Sequence, residues 1–271
     1  TLAALDLGIE VGVDGVEIDV RRTADDHYVL MHDDTVDRTT NGQGQVAELT
    51  LEQVRALEIR WTPMQFIRKT QFPVPPDAER FQHLKVPTLG EALDRARGRA
   101  FVMLDLKAED VEGVTRVVGE RGMLSEVIFK VNSVEEGEAV AAAAPQAILM
   151  GRPDDEAELD AMLAALHPPI VHLDDATFTP PIIERLDDAG ALIWMNTLGK
   201  TDAVALVADG DDLRWAERLG NDLARLLGVL STPHVRAYRK LAERGADFIQ
   251  TDNLVAVVEA MRDFPKPTDG R

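Results

Sequence analysis

Short apolar runs alternate with helix-like stretches along most of this 271-residue chain. Seven such runs each precede a helix-like stretch, and they lie at 15–20, 101–107, 127–131, 147–152, 170–175, 192–197 and 248–252. This alternation is typical of a parallel β-sheet with helical crossovers, so the sequence predicts an α/β fold. A (β/α)8 barrel fits best. An open doubly wound sheet is the alternative, but no glycine-rich phosphate loop follows any run.

The two ends of the chain and the region after the first strand complete this picture. A closed barrel needs eight strands, and residues 1–12 form a predicted helix, so we expect the first strand before Thr1. The run at 28–33 is predicted to be extended, and residues 34–90 are irregular and rich in turns. Further helices are predicted at about 201–244 and 254–262.

Composition excludes several classes of function. The net charge of −19 argues against a nucleic-acid or anionic-membrane surface. A phosphate substrate stays compatible with this charge, because a bound cation inverts the local field. The absence of cysteine excludes disulfides and thiolate chemistry, and no apolar run has the length of a membrane span. Cytoplasmic and exported locations, and any oligomeric state, are compatible with these features.

Polar residues two apart at strand ends form the candidate site. Glu17 and Asp19 leave the same face of the first run, and Asp105 and Lys107 repeat this spacing in the next. The three carboxylates can hold one divalent cation, with Lys107 as a charge for an anionic substrate oxygen. His32 lies near the end of the run at 28–33 and can move protons at neutral pH. Internal salt bridges, for example between Lys107 and Glu17, are the alternative interpretation.

Two further residues are candidates for substrate binding. Lys130 lies near the end of the run at 127–131, where it either points into the same site or extends along the surface. Trp194 shares a face of its run with Asn196 and either lines a small-ligand pocket or belongs to the core. His172 alternates with apolar neighbours, so we interpret it as a core residue.

Several motifs together resemble the glycerophosphodiester phosphodiesterase family. Residues 12–46, GVDGVEIDVRRTADDHYVLMHDDTVDRTTNGQGQV, match its most specific pattern. Shorter matches follow in the family's order, with VPTLGEAL at 86–93, MLDLK at 103–107, WMNTL at 194–198 and FIQTD at 248–252. The combined pattern spans nearly the whole chain and is more specific than any single piece.

The resemblance implies a fold and a reaction. It implies a single TIM-barrel domain over 1–271 with a small insertion after the second strand, at about 21–86. It also implies metal-dependent hydrolysis of glycerophosphodiesters to sn-glycerol 3-phosphate and an alcohol, with Ca²⁺ or Mg²⁺ as the cofactor. By position, Glu17, Asp19 and Asp105 match metal ligands. His32 matches a catalytic histidine, and Lys107 matches a lysine beside the phosphate.

The chain departs from the family pattern at two points. Asp105 stands where the family usually has Glu, so this ligand reaches less far. The family's His-Arg-Gly motif, which carries a second catalytic histidine, has no counterpart here, so it either precedes Thr1 or is absent from the protein. Without that motif we expect the chain to bind metal and to be inactive. A lysophospholipase D-like lipid phosphodiesterase and a non-catalytic binding homologue are therefore alternatives.

Overall fold

A computed structural model describes residues 1–60, 78–107, 110–174, 177–197 and 238–251. Of these, residues up to Pro168 form one compact unit, and residues from Pro169 onward form a second. Within the described ranges no helix is both long and apolar enough to cross a membrane. The predicted helices at about 201–244 and 254–262 lie outside the described residues, apart from 238–244.

The first unit contains a five-stranded sheet with its helices. Its elements in chain order are α1 (Leu2–Val11), β1 (Gly15–Arg22), β2 (Tyr28–Leu30), α2 (Leu51–Ala56), α3 (Leu89–Ala96), β3 (Phe101–Leu106), α4 (Val111–Gly119), β4 (Val127–Val131), α5 (Val134–Ala143), β5 (Ile148–Gly151) and α6 (Glu156–Ala165). The strand order is β2-β1-β3-β4-β5, and all pairs except β1–β2 are parallel.

The second unit repeats the same architecture with three strands. It contains β6 (Ile170–Leu173), α7 (Pro180–Ala189), β7 (Leu192–Asn196) and β8 (Phe248–Gln250). β7 pairs in parallel with both β6 and β8. All seven parallel strands predicted from the sequence are therefore present. The prediction of one domain over 1–271 stays a prediction.

Apolar and polar side chains alternate along β1, and this alternation places the candidate site. Ile18 and Val20 are buried in a cluster with Leu104 of β3 and with Leu89 and Leu93 of α3. Successive strand residues point to opposite faces, so Glu17, Asp19 and Arg21 share the other face. Burial of one face thus fixes the register that presents the acidic face.

Local capping explains where several helices begin. Thr88 accepts a hydrogen bond from the Glu91 backbone, and the Glu91 side chain accepts one from the Thr88 backbone. The same reciprocal capping box joins Thr50 and Gln53 at the start of α2. Such caps satisfy backbone N–H groups that a helix start leaves without partners.

The run at 28–33 forms a hairpin with β1. β2 pairs antiparallel with the end of β1, in the register Val20↔Leu30 and Arg22↔Tyr28. The run begins in an extended conformation, as predicted, and it joins the edge of the sheet as an antiparallel strand. β1 continues two residues beyond its predicted end at 20, because the hairpin supplies partners for Arg21 and Arg22.

Candidate active site

Three carboxylates meet at the polar ends of β1 and β3. Asp19 and Asp105 are direct neighbours in the parallel register of the two strands, and Glu17 lies two residues before Asp19 on the same face. One oxygen atom from each of the three lies within 4.8 Å of the others. The convergence expected from the two-residue spacing is therefore present.

Two lysines bind this carboxylate cluster. Lys130 Nζ donates to Asp105 Oδ2 at 2.6 Å, and Lys107 Nζ donates to the same oxygen at 2.8 Å. Lys107 Nζ also lies 3.5 Å from Asp19 Oδ1. The Lys130 side chain is only 13% exposed, so it points into the site and does not extend along the surface. The internal salt bridges of the alternative interpretation are therefore present, although the described partners of Lys107 are Asp19 and Asp105 and not Glu17.

The pKa values of Glu17 and Asp105 are shifted in opposite directions. Burial, with the negative charges of Asp19 and Asp105 beside it, raises the pKa of Glu17 to about 7. Burial alone would also raise the pKa of Asp105, but hydrogen bonds from Lys107 and Lys130 outweigh it and lower that pKa. The lysines thus compensate Asp105 directly and leave Glu17 short of positive charge.

This donor set fits a hard divalent cation. Ca²⁺ and Mg²⁺ prefer carboxylate oxygens, and three such oxygens converge here in a half-buried site. The raised pKa of Glu17 agrees with this fit, because burial and the negative charges of Asp19 and Asp105 disfavour the ionised carboxylate, which a bound cation would stabilise. Glu17, Asp19 and Asp105 are the residues that would hold the ion.

His32 lies in the segment that returns from β2 and is tied to β1 by its backbone. The Met31 backbone N–H donates to the Asp19 carbonyl at 3.1 Å. Arg21 donates from Nε and Nη2 to the His32 carbonyl, at 3.1 and 2.8 Å. The segment that carries His32 is therefore held against the strand that carries two of the three carboxylates.

The ring of His32 has a partner of its own. Its Nδ1 lies 2.8 Å from Asp33 Oδ1, and Arg38 donates two hydrogen bonds to the Asp33 carboxylate. The His32 side chain is 68% exposed, whereas that of Asp33 is 23% exposed. His32 is therefore accessible to a ligand, while its carboxylate partner is shielded.

A cavity of about 540 Å³ opens beside Lys107, which gives a ligand access to that lysine. Polar and charged side chains make up most of its lining, which consists of Arg21, Arg22, Asp34, Gln45, Val46, Ala47, Lys107 and Asp110.

Trp194 belongs to the second unit and is 7% exposed. Its Nε1 donates to Gln250 Oε1 at 3.0 Å, and its ring stacks on Phe248 with centroids 5.2 Å apart. These contacts account for Trp194 as a structural residue of the β7–β8 pair. Its predicted role in substrate binding stays a prediction.

Three residues near His32 escaped the sequence reasoning, namely Arg21, Asp33 and Arg38. The sequence could have indicated that Arg21 faces the site, since it continues the two-residue spacing of Glu17 and Asp19 along β1. The Asp33–Arg38 pair had none beyond its place in the motif, because its contact depends on the loop conformation.

Comparisons with known proteins show which family this sequence matches. Residues 1–222 match the model of the glycerophosphoryl diester phosphodiesterase family. The glycerophosphodiester phosphodiesterase of Caldanaerobacter subterraneus is 37% identical over 103 residues, which are 38% of this chain and 37% of that relative. The match thus spans well under half of the relative's length.

Solved structures show the same fold over nearly the whole chain. A glycerophosphodiester phosphodiesterase from Agrobacterium tumefaciens is 26% identical with a TM-score of 0.67, covering 95% of this chain and 92% of that chain. A phosphodiesterase from Oleispira antarctica, solved in complex with the product sn-glycerol-3-phosphate, is 19% identical with a TM-score of 0.68, covering 97% and 91%. The expected α/β fold of the TIM-barrel type is confirmed.

Proposed function

Because the chain belongs to the glycerophosphoryl diester phosphodiesterase family, we propose that it hydrolyses glycerophosphodiesters to sn-glycerol 3-phosphate and an alcohol. The observation that carries this proposal is the convergence of Glu17, Asp19 and Asp105 beside Lys107. The product we propose is the one named for the Oleispira relative.

Glu17, Asp19 and Asp105 would hold one divalent cation, Ca²⁺ or Mg²⁺. When bound, such an ion neutralises charge that develops on the phosphoryl oxygens. Asp105 keeps its negative charge at neutral pH because its pKa is lowered, and deprotonation of Glu17 near pH 7 completes the anionic set.

Lys107 and Lys130 are the proposed phosphate-binding residues. Both ammonium groups already meet at one oxygen of Asp105, so they approach the cluster from the same side. An ammonium group is a compact charge with three donors, which suits contact with more than one anionic oxygen. Lys107 also lines the cavity, which gives a diester access to it.

His32 is the proposed proton-transfer residue. Its exposed ring can give a proton to the leaving alkoxide or take one from the attacking hydroxyl. That hydroxyl belongs to water or to the 2-position of the glycerol; in the second case the alcohol leaves as a cyclic phosphate forms, and water must then open the ring to give sn-glycerol 3-phosphate. A positioned acid or base of this kind contributes about 10²–10⁴-fold to the rate.

The test is an assay of the full-length protein. We expect it to release sn-glycerol 3-phosphate from glycerophosphocholine or glycerophosphoethanolamine, to lose activity in EDTA, and to regain it with Ca²⁺ or Mg²⁺. Substitution His32→Ala should lower kcat by about 10²–10⁴-fold. His83→Ala is the matched control, because His83 is also exposed beside a carboxylate, that of Glu58.

Three outcomes would contradict the proposal. Full activity in excess EDTA would exclude the metal site from the reaction. Cleavage of lysophosphatidylcholine to lysophosphatidate and choline, without cleavage of glycerophosphocholine or glycerophosphoethanolamine, would favour the lipid phosphodiesterase. No turnover of any diester, with the cation still bound, would favour the non-catalytic homologue.

A further inference from the structure

The side chains around the His32 ring form a short chain of hydrogen bonds that runs from Arg38 through Asp33 to the ring. We propose that Asp33 and Arg38 are positioning residues that hold the His32 ring in one tautomer, with its proton on Nδ1 and with Nε2 left for the substrate. The consequence for catalysis rests on the proposed function, whereas the tautomer can be measured without it.

Asp33 is the direct partner of the His32 ring, because its Oδ1 lies 2.8 Å from the ring nitrogen Nδ1. Hydrogen bonds from Arg38 and from His32 hold the pKa of Asp33 far below its ordinary value of 3.8. Asp33 is therefore ionised at neutral pH, and an ionised carboxylate only accepts hydrogen bonds. The contact consequently requires Nδ1 to carry the proton.

Arg38 fixes the orientation of the Asp33 carboxylate. Arg38 Nε donates to Asp33 Oδ2 at 2.6 Å, and Nη2 donates to Oδ1 at 2.8 Å. Two parallel bonds from a planar guanidinium fix a carboxylate in orientation as well as in position. Oδ1 thus stays directed at the His32 ring.

Without these contacts the neutral His32 ring could adopt either of its two tautomers. A neutral imidazole carries its proton on either nitrogen, and the partner of one nitrogen decides which form is present. The His32 side chain is 68% exposed, so packing does not select one form. Within the described part of the chain, the Asp33 bond at the ring and the Arg21 bonds at the backbone carbonyl restrict it.

The chemical consequence is that Nε2 becomes the single site of proton transfer. When Nε2 accepts a proton, the ring turns into an imidazolium ion bonded to the ionised Asp33, which stabilises the new charge. When Nε2 gives that proton to a leaving alkoxide, the neutral Nδ1–H form is restored. The proton balance closes on the ring, and Asp33 stays ionised throughout.

The tautomer test uses ¹⁵N NMR of the 271-residue chain at about pH 9, where ordinary histidines are neutral. We expect His32 of the wild type to show one form, with the proton on Nδ1. Asp33→Asn and Asp33→Ala should each convert His32 into a mixture of both forms. Asp6→Asn is the control, because Asp6 is likewise a carboxylate bound by arginines, Arg95 and Arg99.

The activity test uses the full-length protein and the same variants. We expect Asp33→Asn to lower kcat by up to about 10⁴-fold, which is the loss that replacement of the orienting carboxylate causes in a catalytic triad, with KM and cation affinity unchanged. Arg38→Met should cost less, because it leaves the carboxylate in place, and Arg38→Lys should recover part of the loss.

The possible results separate the two proposals. A wild-type His32 with its proton on Nε2, or a tautomer unaffected by Asp33→Asn and Asp33→Ala, would overturn the inference even if the diester is cleaved. A normal kcat in Asp33→Asn beside an impaired His32→Ala would overturn its catalytic part. A wild type that cleaves no glycerophosphodiester but shows the Asp33-dependent tautomer would refute the proposed function and support the positioning of His32.

Discussion

Lys130 Nζ donates to Asp105 Oδ2 across 2.6 Å, which connects β4 to the carboxylate cluster on β1 and β3. The two residues are direct neighbours in the β3–β4 register, and both side chains are largely buried. A buried carboxylate that loses one of its charged partners is left with unfavourable desolvation. This relationship makes Lys130 a support of the cluster as well as a proposed phosphate ligand.

Substitution Lys130→Met should destabilise the metal-free chain by about 1–3 kcal/mol, because Asp105 then loses one of its two charged partners among the described residues. Urea unfolding in EDTA measures the change. Lys85→Met serves as the control, since the Lys85 ammonium is exposed and donates to the Ala56 carbonyl. Equal stability of Lys130→Met and the wild type would show that the contact contributes nothing.

The raised pKa of Glu17 predicts a pH dependence. In the folded metal-free chain this pKa is about 7 instead of the ordinary 4.5, so the folded state holds the Glu17 proton more tightly than the unfolded state does. The stabilisation it contributes is complete below about pH 4.5 and is lost as the pH rises through about 7. Urea unfolding in EDTA should show this loss, and Glu17→Gln should remove it.

The same proton predicts how cation affinity depends on pH. Because a cation binds the ionised carboxylate, its affinity should rise as Glu17 deprotonates around pH 7. Calorimetric titration with Ca²⁺ at several pH values measures this rise. A flat affinity across that range would mean that Glu17 is not a ligand.

Arg21 should matter for catalysis without contacting the cation. Arg21→Ala removes both hydrogen bonds to the His32 carbonyl, so we expect kcat of the full-length protein to fall by at least about tenfold while Ca²⁺ affinity stays the same. Arg97→Ala is matched chemically, because Arg97 donates to the Arg121 carbonyl at 2.7 Å. Equal kcat in both variants would contradict the role of Arg21.

Trp194→Phe should lower stability by about 1–3 kcal/mol, because it removes the hydrogen bond to Gln250 and leaves a gap in a buried site. Phe101→Leu is the control, since Phe101 is 43% exposed and should change stability little. If Trp194 also binds substrate, as the sequence predicts, KM for glycerophosphocholine should rise in Trp194→Phe at temperatures where the variant stays folded.

The sequence was sufficient for the parts of the site that follow strand periodicity. Glu17 and Asp19 on one strand and Asp105 and Lys107 on the next were predictable, because alternation fixes the face and parallel pairing brings the strand ends together. The direction of Lys130 was not predictable, since it depends on the register between β3 and β4. Register is a property of the packed sheet.

The surroundings of His32 lay further beyond the reach of sequence patterns. Asp33 is adjacent to His32 in the sequence, but the ring contact depends on loop dihedral angles and on Arg38, five residues later. The hairpin that brings Arg21 to the His32 carbonyl is likewise a tertiary pairing, between β1 and β2. No periodicity encodes contacts of these kinds.

A crystal structure of the chain grown with Ca²⁺ tests the central claim most directly, which is that the three carboxylates form a divalent metal site. We predict one ion bound by Glu17, Asp19 and Asp105, with an oxygen of each at about 2.0–2.6 Å from it. An ion that binds elsewhere, or a cluster that stays paired with Lys107 and Lys130 at saturating Ca²⁺ with no ion between the carboxylates, would contradict the account.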